Sequence, residues 1–395
     1  MTLPLGLGVA LPVFRSANLA FLAACALAAL LLPTGARSQS APGVTADKIT
    51  VGQTIAMSGP FGDIARELLK GSQAYFNVLN RTGGIHGRQV ELVSKDDGYI
   101  TARALDNAKQ FIDSQSVFCL FSNFGTPTNE AILPLAESSG TPLFASFTGA
   151  LSLRSKDLKS TMNIRASYAD EAEHLVKQLH TLGVRKIAVV YQNNTLGQEI
   201  LQGVSDSLGK RGIKPVWTGA IEPDSSNAEA MAAKAMGAKP EVLILGIAGK
   251  STIEVIKAVK GANAGIQLYA LSILATPANL RALGKLGRGV VVSQVVPLPT
   301  SPTMSLAREY RAAMTEAGHT DFTHLSFEGY INGRILAEGL KRAGRNLTRP
   351  GFISALHTLQ RYDAGGLMVS FGRGAASSSS FVELTMIDSD GKLIK

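Results

Sequence analysis

The chain has 395 residues, 45% of them apolar and 17% charged, with a formal net charge of +9. That length suits two domains, and the apolar share excludes a disordered chain. Two cysteines, Cys25 and Cys119, exclude a disulfide-built scaffold, and the single long apolar run at 17–32 excludes a polytopic membrane protein.

The first residues read as an export signal and not as part of the fold. Arg15 is the only charge ahead of the apolar run, Pro33 ends it, and Ala36 and Ser38 put small residues at −3 and −1 of a cleavage point. Residues 1–38 are therefore expected to be removed, taking Arg15 and Arg37 with them. Two alternatives stay open. One is an uncleaved anchor helix. The other is lipidation, since Leu22-Ala23-Ala24-Cys25 fits that pattern, although the chain stays apolar well past Cys25. With the leader gone Cys119 remains, inside the apolar run VFCLF, and is expected to be a buried structural thiol.

Strand-like apolar runs then recur at 49–55, 90–94, 117–122, 142–147, 186–191, 216–221, 242–247, 267–271 and 290–296. Helical spacing lies between them. At 101–113 Ala104, Ala108, Phe111 and Ile112 share one face, with Thr101 as N-cap. Asp170 and Glu173 read as a capping box for a helix that turns Leu175, Val176, Leu179 and Leu182 inward and closes at Gly183. The tail has helices at 304–317, 327–344 and 350–360 and strands at 368–371 and 381–387, with a Gly/Ser-rich linker at 372–380. Apolar strands alternating with amphipathic helices make parallel sheets, and so many strands divide into two domains. Ligands of such sheets sit beyond the carboxyl ends of the strands. That singles out the loops after Ile55, Ser122, Phe147, Tyr191, Ile247 and Leu271.

Catalytic patterns fail. Gly249-Lys250-Ser251-Thr252 follows a strand, but a phosphate loop needs glycine where Ile244 stands. Gly203-Val204-Ser205-Asp206-Ser207 lacks the last glycine of a nucleophile elbow. The six histidines make no zinc pattern, and His174 is expected at the surface. Asp96-Asp97 suits a turn-and-cap role better than acid–base work. No enzyme, cofactor or metal is expected. The basic residues are scattered among acids and not interleaved with aromatics, so no nucleic-acid partner is expected.

Anion-binding loops do occur. Asn123-Phe124-Gly125-Thr126-Pro127-Thr128 precedes a helix expected at 129–139, with Pro127 favoured at its first position and Thr126 as N-cap. The N–H groups of Thr128 and Asn129 and the Thr126 hydroxyl would face a carboxylate. Ala145-Ser146-Phe147-Thr148-Gly149-Ala150 and Ser58-Gly59-Pro60-Phe61-Gly62 add further open turns on the same edge.

These pieces, in this order, resemble a known family. Residues 49–60 (IxVGQTxxxSGP), Gly83-Gly84-Ile85-His86-Gly87-Arg88, LVSKDDGY at 92–99, Gly125-Thr126-Pro127-Thr128, 146–149, Arg165-Ala166-Ser167-Tyr168-Ala169-Asp170-Glu171 and Phe381-Val382-Glu383-Leu384 look like the periplasmic solute-binding proteins of ABC transporters, in the type I leucine/isoleucine/valine-binding class. The resemblance covers about 48–395. It implies an α/β fold of two doubly wound parallel-sheet lobes joined by three crossovers, closing on a ligand by hinge motion. The lobes implied are 48–166 plus 295–373 and 167–294 plus 378–395, with crossovers near 165–167, 293–296 and 372–379.

The resemblance also implies a site. Thr126 matches the carboxylate-binding hydroxyl, and Ser146, Phe147 and Thr148 match the backbone donors. Ile64 matches the first-loop wall, and Tyr168 stands at the first crossover. Leu196 and Gly249 stand where the family has aromatics. Ser272 stands where an acid would pair the ammonium of an amino acid, and a desolvated ammonium without a counter-charge is costly. The implied function is the periplasmic binding component of an ABC importer. It would take a small carboxylate solute, either an amino acid held unusually or a related organic acid, and deliver it as a monomer to an inner-membrane permease. A ligand-sensing receptor of the same fold is the alternative.

Overall fold

The computed structural model describes residue 8 and residues 41–274, 276–372 and 378–395. The expected leader at 1–38 and Cys25 lie outside them. In chain order the elements are β1 (Lys48–Ile55), α1 (Gly62–Arg81), β2 (Gln89–Asp96), α2 (Thr101–Asp113), β3 (Leu120–Phe121), α3 (Thr126–Ser138), β4 (Leu143–Phe144) and β5 (Thr161–Met162). A second run follows, of α4 (Tyr168–Thr181), β6 (Ile187–Gln192), α5 (Thr195–Gly209), β7 (Trp217–Ile221), α6 (Ala228–Gly237), β8 (Val242–Gly246), α7 (Lys250–Ala262), β9 (Gln267–Ala270), α8 (Pro277–Leu283) and β10 (Val291–Gln294). The tail holds α9 (Ser305–Glu316), α10 (His324–Ala343), α11 (Arg349–His357), the hairpin β11 (Tyr362–Asp363) and β12 (Met368–Val369), then β13 (Glu383–Ile387) and β14 (Leu393–Ile394).

The strands form two large sheets. The first has order β2-β1-β3-β4-β5 and is parallel throughout. The second has order β14-β13-β10-β9-β8-β6-β7. It is parallel from β7 to β10, but β13 and β14 join antiparallel, so the tail closes the second sheet as a mixed edge. The order reverses between β1 and β3 and again between β6 and β8, which opens a crevice beyond each sheet at its switch point. All of β8 and all but the first residue of β1 are buried, as strands covered by helices on both faces must be.

Several sequence expectations change in detail. The expected strands at 117–122 and 142–147 keep only two paired residues each, because Ser122 (φ 51°) and Ala145 (φ 56°) turn left-handed and end the ladder. Thr101 is the first residue of α2 and not its N-cap, which is Ile100. The capping box of α4 is Ser167 with Asp170, one turn ahead of the Asp170–Glu173 pair. Helix α3 starts at Thr126, with Gly125 as N-cap at φ 96°. Gly183 does follow the end of α4, at φ 81°, and Cys119 is buried.

Helices of the tail return to the first sheet. Helix α10 crosses α1 so closely that a Cβ on Gly71 would meet the Ser326 carbonyl at 1.7 Å, and one on Gly329 the Leu68 carbonyl at 2.0 Å. Arg349 of α11 donates to the carbonyls of Phe118 and Val117. The chain thus passes between sheets after Met162, after Gln294 and after Val369. The third passage includes 373–377, outside the described residues. Its end runs beside the first, with Ser378 and Ser379 donating to the carbonyls of Asn163 and Ile164. Among the described residues no helix is long and apolar enough to cross a membrane.

Candidate functional site

The loops at the carboxyl ends of both sheets meet around one cavity. Phe61, Ile64, Tyr99, Phe124, Gly125, Thr126 and Phe147 wall it from the first sheet, and Tyr168, Leu196, Ala248 and Ile273 from the second. Its volume is ≈ 20 Å³, room for about one water. Five aromatic rings line it. Phe61 and Tyr99 lie with centroids 4.1 Å apart, and Phe124 and Phe147 stack at 5.1 Å with 10° between planes. Gly125 lets Tyr99 close in, since a Cβ there would meet the Tyr99 ring at 2.4 Å.

The expected site residues divide into two groups. Ile64, Thr126, Phe147, Tyr168 and Leu196 border the cavity. Thr128, Ser146, Thr148, Gly249 and Ser272 stand behind it. The Thr128 hydroxyl donates to the Phe124 carbonyl inside the first turn of α3. The N–H groups of Phe147 and Thr148 are used on the carbonyls of Asn123 and Ser146, so they form the loop and do not face the cavity. The Ser146 hydroxyl is buried without a partner. Gly249 meets the first lobe: a Cβ there would sit 2.8 Å from the Pro60 carbonyl and 3.1 Å from the Phe61 ring. Phe61 therefore fills, from the opposite lobe, the place where an aromatic was expected near 248–249.

The polar end of the cavity is small. The hydroxyls of Thr126 and Thr148 share one bond of 2.7 Å, and Thr148 also accepts from the Ala150 N–H. Two hydroxyls joined by one mutual bond keep one hydrogen to donate elsewhere. Burial pushes the Tyr99 phenol up, Tyr168 adds to it, and the Thr126 N–H opposes it. The loop at 148–150 is clamped by Arg154, which donates to the carbonyls of Thr148, Ala150 and Arg165. Burial brings Arg154 down to about 10, with Arg165 adding to the effect.

Behind the aromatic wall lies an ionic cluster. Arg165, 3% exposed, stacks over Phe147 at 4.6 Å and lies 5.9 Å from the Tyr168 ring. Its guanidinium reaches the Ser272 hydroxyl at 2.6 Å, Glu171 of α4 at 3.3 Å and Glu328 of α10 at 3.5 Å. Glu171 is filled by further donors, the Ser272 N–H at 2.9 Å and the Ser272 and Ser293 hydroxyls at 3.1 and 2.6 Å. Ser272 thus belongs to this cluster. Burial works to lower the Arg165 pKa, but Glu328 and Glu171 hold it above its usual value. Burial raises Glu328, against the pull of Arg165.

Phe61, Tyr99, Phe124, Arg165 and Glu171 were absent from the expected site, yet all five sit inside or beside motifs that carried the resemblance. Glu328 had no such signal, because nothing in a helix of the tail shows which residue meets the crossover. Asp96 and Asp97 do serve turns: Asp96 accepts from the Ser58 and Gly98 N–H groups, and Asp97 from the Thr54 hydroxyl and Tyr99 N–H. His174 is exposed, as expected.

Comparison with known proteins gives consistent results. A family model described as periplasmic binding protein matches residues 48–392. A "Leu/Ile/Val-binding protein homolog 3" of Brucella melitensis is 22% identical over 50% of this chain and 54% of its own. The chain spans about half the length of the curated relatives it matches. Among solved structures, a possible leucine/isoleucine/valine-binding protein from Rhodopirellula baltica superposes with a TM-score of 0.83, at 28% identity, over 89% of this chain and 97% of that one. A solute-binding protein of an R. palustris ABC transporter, in complex with benzoate, superposes at 0.79 and 17% identity over 88% and 95%.

Proposed function

Because the chain belongs to the periplasmic binding protein family, we propose that it captures a small carboxylate solute without an ammonium group and delivers it to an ABC permease. The observation that carries this reading is that the two acids behind the aromatic wall are already paired. Glu171 and Glu328 are taken up by Arg165, and among the described residues no carboxylate borders the cavity. An ammonium enclosed here would stay unpaired, at a cost of several kcal/mol. A carboxylate meets the spare hydrogen of the Thr126–Thr148 pair and the start of α3, where the helix dipole favours negative charge by ~0.3–1 kcal/mol. The ring-lined wall suits a flat apolar body, and the R. palustris neighbour holds benzoate, a ring with a carboxylate and no ammonium.

In this proposal Thr126, Phe147, Tyr168, Ile64 and Leu196 touch the solute. The lobes are 48–166 with 295–373 and 167–294 with 378–395, and the place of work is the periplasm. A thermal-shift panel pairing phenylalanine with phenylpyruvate, leucine with its 2-oxo acid, and benzoate tests it. A ligand at 100 times its Kd stabilises by about 2.7 kcal/mol, a shift of several degrees. The ammonium-free acids are expected to raise the midpoint. A rise with the amino acids alone would sink the reading.

A further inference from the structure

A second cavity, of ≈ 770 Å³, shares no lining residue with the cleft. Its volume lies within the ~300–1,000 Å³ usual for small-molecule pockets. Helix α8 and the turn before β14 wall it on one side and the segment 320–324 on the other, with Leu298 and Pro299 between. Leu280, Leu298, Phe322 and Leu393 make this wall apolar.

Its polar groups are mostly donors and cations. Helix α10 begins at the cavity, and the Thr323 hydroxyl caps only the Ser326 N–H among the unpaired groups of that first turn. His324, 6% exposed, lines the cavity, and its Nε2 has no hydrogen-bond partner. A buried ring nitrogen of this kind is costly to leave unpaired. Burial holds the His324 imidazole down at about 4, so at neutral pH it is uncharged and carries one N–H. At the rim stand Arg281, Lys285 and Lys392, all exposed and without ion-pair partners among the described residues. Asp321 and Asp390 also border the cavity, so the cations outnumber the acids.

We propose that this cavity is a second ligand site, for a small organic anion with an apolar body, separate from the solute cleft. The anionic group meets the rim cations near the start of α10, and the body lies on the leucines and Phe322.

The test titrates the protein with 2-naphthoate, an apolar ring bearing one carboxylate, by equilibrium dialysis. Two saturable sites are expected. The variant Arg281→Glu/Lys285→Glu reverses two exposed charges and weakens one site by about tenfold or more. Ala248→Trp fills the cleft and removes the other. The His324 ring resonances in NMR are expected to move on titration of the unaltered protein and to stay fixed in the rim-reversed one. Unchanged binding after rim reversal, fixed His324 resonances in the unaltered protein, or no saturable binding at millimolar concentration overturns the proposal. A single site that rim reversal removes upholds it and counts only against naphthoate as a cleft ligand.

Discussion

Arg165 and its two acids show how a single residue serves both sheets. Breaking a buried ion pair by removing one partner leaves an uncompensated charge, worth about 3–5 kcal/mol. Arg165→Met is therefore expected to lose stability of that order in urea unfolding. Two titrations follow from burial, with opposite signs. Glu328 has its folded pKa raised above 4.5, so its contribution is fully present below that value and is lost as pH rises through the folded one. Glu328→Gln should remove that part of the slope. His324 moves the other way, from 6.5 down to about 4, because burial disfavours the imidazolium. The His324 contribution is full above pH 6.5 and falls, by up to ~3 kcal/mol, as pH drops toward 4. Unfolding curves of His324→Gln across that range should lose this dependence. Both expectations rest on side chains that tertiary packing buries, and neither residue stands out in its own stretch of sequence.

At the scale of elements, the helix contacts set the tolerance to change. Gly329 and Gly71 bring α10 and α1 into backbone contact, and Ser72 donates to the Gly329 carbonyl at 3.1 Å across the crossing. Gly329→Ala gives no room for its methyl without moving α1, so a loss of about 1–3 kcal/mol or more is expected in thermal unfolding. The caps are smaller effects. Ser167→Ala breaks the capping box of α4 and should cost about 1 kcal/mol. Helix periodicity was legible at α2 and α4, where apolar residues recur on one face. Their first residues were not, because several polar side chains near a helix start compete for the cap, and only backbone geometry selects among Ser167, Asp170 and Glu173. Strands β3 and β4 were legible as apolar runs but not in their short extent, and β5 was not legible at all, since two residues carry no period.

For the whole molecule, the cleft as it stands is closed. A cavity of ≈ 20 Å³ admits no carboxylate with a ring, so entry requires the loops of the two sheets to part. Gly249 against Pro60 and Phe61 is the contact that parting must break. Small-angle scattering of ligand-free protein is expected to give a radius of gyration above that of the closed form, falling when a cleft ligand is added. A radius already at the closed value without ligand would mean that the cleft opens by loop motion alone. Gly249→Phe places a ring where the lobes meet and should weaken cleft binding, and because Gly249 sits at φ 69° the side chain also strains the backbone, so a lower unfolding midpoint is expected with it.

The sequence by itself determined the alternation of strands and helices, the division into two sheets, and the loops that face the cleft. Those features are local: apolar runs, turn glycines and the Gly125–Pro127 helix start are each set by a few adjacent residues. It also supplied the order of motifs by which the family is recognised. Only the tertiary structure decided which donors remain free, that Ser272 pairs with Arg165 and Glu171, and that Phe61 crosses the cleft to Gly249. Hydrogen-bond partners and ring contacts join residues far apart in the chain, some by more than a hundred positions, and no local pattern encodes which of them will meet.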